Sequence, residues 1–454
     1  MKIPPTFAAC CCLLVLPAAL QADDSNEAVG WRGDGSGRFV EAEPPTNWSP
    51  DSDNIVWRVD VGRGYSSPVL CKVAGGDERI FLTAAPSDVI CIEAGSGKIL
   101  WRQTIDYAVA LGEEEATRIE NTHQQFEEQR RAVSREYEEL RKNDPDSPRL
   151  EPLKESRQQI EDRRREFERQ YPPEKRGGAG NAAATVVCDG QRVYALFGTG
   201  IATALTLDGE RLWARHLEGP LQGFGHSASP IFAAGRLIVH IQSLTALDPQ
   251  TGETQWRVDV PAKFGTPAVA DIGGEEVLIT PHGAFVAADD GRVLARDQFT
   301  MSENSPVVHD GVLYVHESGK VKAFQLPNST VTPFEPEPLW ETSGARDQRM
   351  ASALYHEGLL YAGGRGGIMD VIDAETGKTV YRKRLDIGQL FSSPTLAGDL
   401  IFLGGKDGRT LVLRPGSEYD EVAVNESERY STTPIFDDKR MYLRTDKYLY
   451  CIGK

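Results

Sequence analysis

Tyr65, His226, Phe391 and Tyr430 each stand immediately ahead of a short Ser/Thr-rich segment, and Arg349 and Arg429 stand close ahead of such a segment. Aromatic faces combined with guanidinium groups stack on planar or apolar groups and pair with carboxylates. The chemistry that these six side chains offer is therefore recognition of a ligand or peptide. Should they not converge, the same residues would pack the seams between repeats. Catalytic partner sets are missing around them. The histidines are scattered, with no His-x-x-x-His pair and no Cys/His cluster of metal-ligand spacing, and the glycines fall at β-turns rather than in a phosphate loop ahead of a helix.

The elements that must position these residues recur along the chain. Turns of acidic residue and glycine precede a bulky residue by a fixed offset: Gly97 before Trp101, Gly209 before Trp213, Gly252 before Trp256 and Gly377 before Tyr381, always four positions on. Weaker copies place Ala295 four after Gly291 and leave Trp340 without the turn. From Trp213 through Trp256, Ala295 and Trp340 to Tyr381 the spacing is 39 to 45 residues. A period near forty built from short strands signals a propeller or solenoid.

The Ser/Thr segments report the same register independently. They lie at Ser66–Pro68, Ala183–Thr185, Ser227–Pro230, Gly265–Pro267, Asn304–Pro306, Ala351–Ala353, Ser392–Pro394 and Thr432–Pro434. Each is followed by a short apolar strand, a turn and further strands, so the expectation is an all-β, eight-bladed β-propeller of four-stranded blades. The last repeat stops after its third strand, at Tyr448–Lys454, while Asn54–Asp60 carries Trp57 and has no blade of its own. Pairing these two ends would close the ring and bury edges that otherwise invite aggregation.

The Asp/Glu-x-x-Thr/Ser-Gly-x-x-x-Trp turn is similar to the tryptophan-docking repeat of pyrroloquinoline-quinone (PQQ) dehydrogenases and of BamB-like propellers of the bacterial envelope. Trp31-Arg32-Gly33 followed by Gly64-Tyr65-Ser66-Ser67-Pro68 resembles the opening of secreted bacterial quinoprotein-repeat proteins. The resemblance covers about residues 30–106 and 180–454 and speaks for fold more than for function. It implies either a site for PQQ with calcium, held by carboxylate and amide oxygens near a catalytic Asp and often a vicinal disulfide, or a scaffold that binds partner proteins. No adjacent cysteine pair follows residue 22 and no Cys-x-x-Cys-His occurs. No cofactor and no metal are therefore expected, with PQQ and calcium as the alternative.

Residues 1–22 read as a signal peptide, with Lys2, an apolar run from Phe7 to Leu20, and Gln21-Ala22 ahead of acidic Asp23-Asp24. The formal net charge of −17 leaves no basic stripe for nucleic acid. Beyond the signal, Cys71 and Cys188 occupy the same repeat position, as do Cys91 and Cys451. Equivalent positions in different blades are not expected to meet in a disulfide, so all four read as free buried thiols.

One segment breaks the period. Between Leu111 and Gly178 lie 18 acidic and 15 basic residues, and apolar residues recur at sevens: Ile119, Phe126, Val133 and Leu140, then Leu153, Ile160 and Phe167. Asn143–Pro148 separates the runs, so 107–178 is expected to form a charged, coiled-coil-like helical hairpin able to dock a partner. The organisation expected is signal peptide 1–22, closing strand and first blade 23–106, hairpin 107–178, and blades two to eight 179–454. The function expected is a non-enzymatic, secreted scaffold contacting envelope or secreted proteins, in the periplasm or at the cell surface, with no nucleic acid and no membrane span after signal cleavage. A quinone-dependent or carbohydrate-active enzyme with its site at the channel mouth is the competing reading.

Overall fold

The computed structural model describes residues 28–453 apart from 74, 175–179, 222–224, 302, 345 and 349; the expected signal peptide lies outside the described residues. Eight antiparallel sheets are arranged as blades. Blade 1 is built from Val69–Lys72, Glu78–Ala84, Asp88–Glu93 and Ile99–Thr104. Blades 2 to 8 repeat the pattern, beginning at Val187, Ile231, Ala268, Val307, Leu354, Thr395 and Ile435. First strands of neighbouring blades touch one another, which places them around the bore. Third strands such as Asp88–Glu93 and Ile201–Thr206 are buried along almost their whole length, because adjacent blades cover both faces. The outermost strands alternate, as in Ile55–Asp60, with one face toward solvent.

The ring closes as the sequence led us to expect. Ile55–Asp60 pairs antiparallel with Tyr448–Gly453, setting Trp57 opposite Cys451, and so supplies the fourth strand of blade 8. The fully buried Arg444 guanidinium reinforces this closure by donating to the carbonyl oxygens of Ser66 (2.9 Å) and Thr83 (2.7 Å) in blade 1.

The acidic-Gly turns and the tryptophans meet across seams, not within a blade. Trp57, Trp101, Trp213, Trp256 and Trp340 donate Nε1–H to Ala94, Leu207, Pro249, Ala288 and Ala374 of the following blade at 2.8–3.0 Å. Each indole lies on a glycine of that blade; a Cβ at Gly252 would sit 2.7 Å from Trp213, and Gly252 also has a φ of +71°. Glycine is thus required twice over, by conformation and by space. Ala295 and Tyr381 occupy the equivalent place on two of the remaining seams without an indole.

The insertion forms α1 (Tyr107–Leu111), α2 (Glu113–Asn143) and α3 (Leu150–Glu168). Helices α2 and α3 pack antiparallel with Ile119 and Ile160 buried, and α2 is about 46 Å long at 1.5 Å per residue. Its root is welded to the propeller. Tyr107, Ile119, Phe167 and Tyr171 join the apolar core of blades 1 and 2, the Tyr107 hydroxyl donates to Pro172 O at 2.7 Å, and Tyr171 stacks on His216 with ring centroids 5.1 Å apart. The distal half is a charged hairpin laced by pairs such as Arg130–Glu127 and Arg149–Glu136, both at 2.8 Å.

One expectation is overturned. Cys71 and Cys188 form a disulfide, with Cα atoms 6.4 Å apart. They hold equivalent places on the first strands of adjacent blades, and at the narrow centre of the ring those strands are near enough to bridge; equivalence excludes contact only farther out or between non-neighbours. Cys91 and Cys451 are free and buried, and burial pushes both thiols up to about 12.

Candidate functional site

The Ser/Thr segments owe their composition to a closed hydrogen-bonded ring. The backbone N–H of Ser67 donates to Thr185 Oγ1, that of Thr185 to Ser229 Oγ, and the relay continues through Thr266, Ser305, Ser352, Ser393 and Thr433 back to Ser67, at 2.9–3.3 Å throughout. At this constriction each first strand has a backbone donor that its own sheet leaves unpaired, and a buried unpaired N–H costs about 1–3 kcal/mol. A small hydroxyl from the next blade satisfies it without filling the bore.

Below the ring the bore is plugged by the chain's own N-terminal segment. Val29 exchanges two backbone hydrogen bonds of 2.8 Å with Cys188 in blade 2. Three residues on, the buried Arg32 donates to Ala353 O and Pro394 O, both at 3.1 Å, in blades 6 and 7. Blades 2 and 6 face each other in a ring of eight, so residues 29–32 span the bore. Arg38–Phe39 then pairs in parallel with the first strand of blade 7. Desolvation holds the Arg32 guanidinium down to about 10, against the pull of Asp34.

Above the plug lies a cavity of about 620 Å³, lined by the hydroxyl ring, by Trp31, Tyr65, Phe264, Met350 and Phe391, and by the polar side chains Glu303, Gln348, Arg365 and Lys406. Trp31 belongs to the plug, so the cavity is blind. The Lys406 ammonium stands 4.6 Å from the Phe391 ring centroid and the Arg365 guanidinium 5.7 Å from it. Arg365 is held by its backbone, which donates to Gln348 O at 2.9 Å and accepts from the Leu390 N–H at 3.2 Å, while its guanidinium bonds the Gln348 side chain. Burial raises the Glu303 carboxyl above its usual range, with Lys263 and Arg365 opposing.

Of the six residues singled out in the sequence, the five that are described do not all converge. Tyr65 and Phe391 line the cavity. His226 is buried, and burial together with the nearby His240 brings its imidazole down to about 4. Tyr430 is also buried; its hydroxyl shares a hydrogen bond with Thr410 and is strongly raised by desolvation. Arg429 is exposed and apart from the lining residues. Arg349 lies outside the described residues.

Arg365 and Lys406 lie outside the Ser/Thr segments and so are not among the residues that those segments mark. A signal was present in Gly363-Gly364-Arg365-Gly366-Gly367 and Gly404-Gly405-Lys406-Asp407-Gly408, which occupy the same loop after the second strand in blades 6 and 7. That loop opens at the same end of the blade as the strand start.

The lining does not fit calcium-bound PQQ. Glu303 is the single carboxylate in it, no group of three or more Asp, Glu, His or Cys side chains is placed to hold a metal ion among the described residues, and the Cys71–Cys188 disulfide joins residues far apart in sequence, 117 positions, rather than neighbours.

The sequence matches the family described as outer membrane protein assembly factor BamB over residues 46–113, 174–332 and 327–417. The chain belongs to this family. Among solved structures, BamB from Moraxella catarrhalis is similar at 12% identity and a TM-score of 0.55, covering 88% of this chain and 99% of that one. A quinohemoprotein alcohol dehydrogenase, ADHIIG from Pseudomonas putida HK5, is similar at 11% identity and a TM-score of 0.53, covering 90% and 78%. The computationally designed Ika8 protein is similar at 10% identity and a TM-score of 0.51, covering 87% and 99%. A comparison with curated protein sequences returned no match. At these identities the solved structures speak for the propeller fold alone, which BamB and the dehydrogenase share. No helix among the described residues is long and apolar enough to cross a membrane.

Proposed function

We propose that this BamB-family propeller is a non-enzymatic scaffold, exported from the cytoplasm, that docks an envelope or secreted protein at its blind mouth. The observation that carries this reading is the lining itself: aromatic walls and two cations beside one lone carboxylate, with no nucleophile–base pair and no metal-ligand set among the described residues. Such a surface has the anchors that dominate protein interfaces, aromatic rings and arginine in a concave site. Export is supported by the Cys71–Cys188 disulfide, since such bonds persist in oxidising compartments. The 107–178 hairpin offers a second contact surface at the rim.

The test is affinity capture from the native envelope with wild-type protein and with Phe391→Ala, each checked for an unchanged melting temperature. Loss of the captured partner with Phe391→Ala supports docking at the mouth. Undiminished capture that disappears when the distal hairpin is removed moves the interface to the hairpin, and turnover of a sugar or alcohol by the purified protein overturns the scaffold reading.

A further inference from the structure

The mouth combines three features that together restrict what it can hold. It is blind, because Trp31 and the buried Arg32 anchor close the bore behind it. A strand of a partner therefore cannot thread through, whereas a chain end, a protruding side chain or a compact group can enter. The cavity of about 620 Å³ falls within the range of about 300–1,000 Å³ typical of sites for small ligands, too small for a folded element.

The second feature is charge. Lys406 and Arg365 flank Phe391, and among the described residues neither makes an ion pair. In a chain of formal charge −17, this recess gathers two cations against the single carboxylate of Glu303, so its local charge is opposite in sign to that of the chain as a whole. Arginine and lysine set side by side are suited to a carboxylate, which accepts charge-assisted hydrogen bonds from both.

The third is aromatic lining from Trp31, Tyr65 and Phe264 in the same cavity, able to cover an apolar side chain. Resting on the docking role proposed above, the geometry points to capture of a polypeptide C-terminus: the terminal carboxylate is held by Arg365 and Lys406, and the last side chain lies against the aromatic lining. Glu303 competes with that carboxylate for Arg365, so the site is tuned rather than maximally tight. Replacing Glu303 by glutamine strengthens binding.

The experiment uses the mature chain, immobilised, and two degenerate pentapeptide pools that differ only in a free or an amidated C-terminus, with retained peptide quantified by mass spectrometry. The expected result is at least tenfold greater retention of the free-acid pool. Lys406→Gln and Arg365→Gln bring it to the level of the amide pool at an unchanged melting temperature, and Glu303→Gln raises it. Should Arg365→Gln unfold, because its side chain also bonds Gln348, Lys406→Gln decides. Equal retention of the two pools, or retention of neither, overturns the inference, and so does displacement of the free-acid pool by glucuronate at the peptide's own concentration, which would mark a site for small acids. If Phe391→Ala abolishes envelope capture while the two pools are retained equally, docking at the mouth stands and chain-end recognition falls. If the pools are discriminated but mouth variants leave capture unchanged, the mouth recognises chain ends without being the scaffold's docking surface, and the proposed function falls instead.

Discussion

The Ser67 hydroxyl accepts the backbone N–H of Thr433 at 3.0 Å, 366 residues away in sequence, and this one bond joins the eighth first strand to the first. Every other link of the ring connects blades adjacent in the chain. The Thr433–Ser67 link, with the Trp57 strand and the Arg444 side chain, carries the closure between the two ends.

Replacing Ser67 by alanine leaves the Thr433 N–H buried without a partner. The expected cost is about 1–3 kcal/mol, read as a lower midpoint in chemical unfolding, whereas Ser67→Thr keeps the acceptor and stays close to wild type. Equal stability of the alanine and threonine variants would show that the ring bonds contribute nothing at this seam.

Gly252→Ala should destabilise through two routes, a positive φ of +71° and a Cβ 2.7 Å from the Trp213 ring. We expect a loss on the order of 1–3 kcal/mol from overpacking alone, compared with about 3–5 kcal/mol for Trp213→Ala, which empties the seam. Calorimetric melting of the two variants and of the double variant measures both. Strongly sub-additive losses are expected, because the two residues share one contact.

Thiol labelling of the denatured, unreduced mature protein should modify Cys91 and Cys451 and spare Cys71 and Cys188. Removing the bond by Cys71→Ser with Cys188→Ser is expected to cost about 2–4 kcal/mol, the usual range for a native disulfide closing a long loop. Four labelled thiols would refute the pairing.

Acid should weaken the fold from near neutrality. His226 and His240 are both brought down to about 4 by burial, so the unfolded chain, with imidazoles near 6.5, binds more protons than the folded one below that pH. Their stabilisation is complete above pH 6.5 and is lost as pH falls toward 4, by on the order of 3 kcal/mol for one fully shifted histidine. Melting temperatures between pH 7.5 and 4.5 should fall more steeply for wild type than for His226→Gln, and parallel curves would remove the histidines from the account.

The distal hairpin should be dispensable for folding and its root should not. Replacing Arg130–Ile160 with a short Gly-Ser linker is expected to leave the propeller's melting transition within a few degrees of wild type, since the residues of the arm that join the core of blades 1 and 2 all lie outside the excised part. Tyr107→Ala, which removes a core side chain bonded to Pro172, should cost about 3–5 kcal/mol. A deletion variant that lost its β-sheet signal in circular dichroism would show the whole arm to be integral.

Much of the architecture was legible in the chain because it rests on local, repeated chemistry. A Gly four residues ahead of Trp, a Ser/Thr segment ahead of each first strand, and a spare strand around Trp57 opposite an incomplete last repeat state the blade number and the closure, since each motif answers a fixed geometric need of one blade. The heptads of the insertion announced a hairpin for the same reason. What only the tertiary structure decided is which residues of different blades share a space. Tyr65 and Phe391 stand two residues ahead of the ring hydroxyls Ser67 and Ser393 and line the cavity, whereas His226 and Tyr430 stand three ahead of Ser229 and Thr433 and are buried, because in extended chain a one-residue offset turns a side chain to the opposite face. Cys71 and Cys188 meet for a related reason: the distance between equivalent positions depends on radius, which periodicity does not encode. Trp31 floors the mouth, and Arg365 and Lys406 stand together beside Phe391, only because the ring curves an N-terminal segment and two loops 41 residues apart onto one end of the same bore.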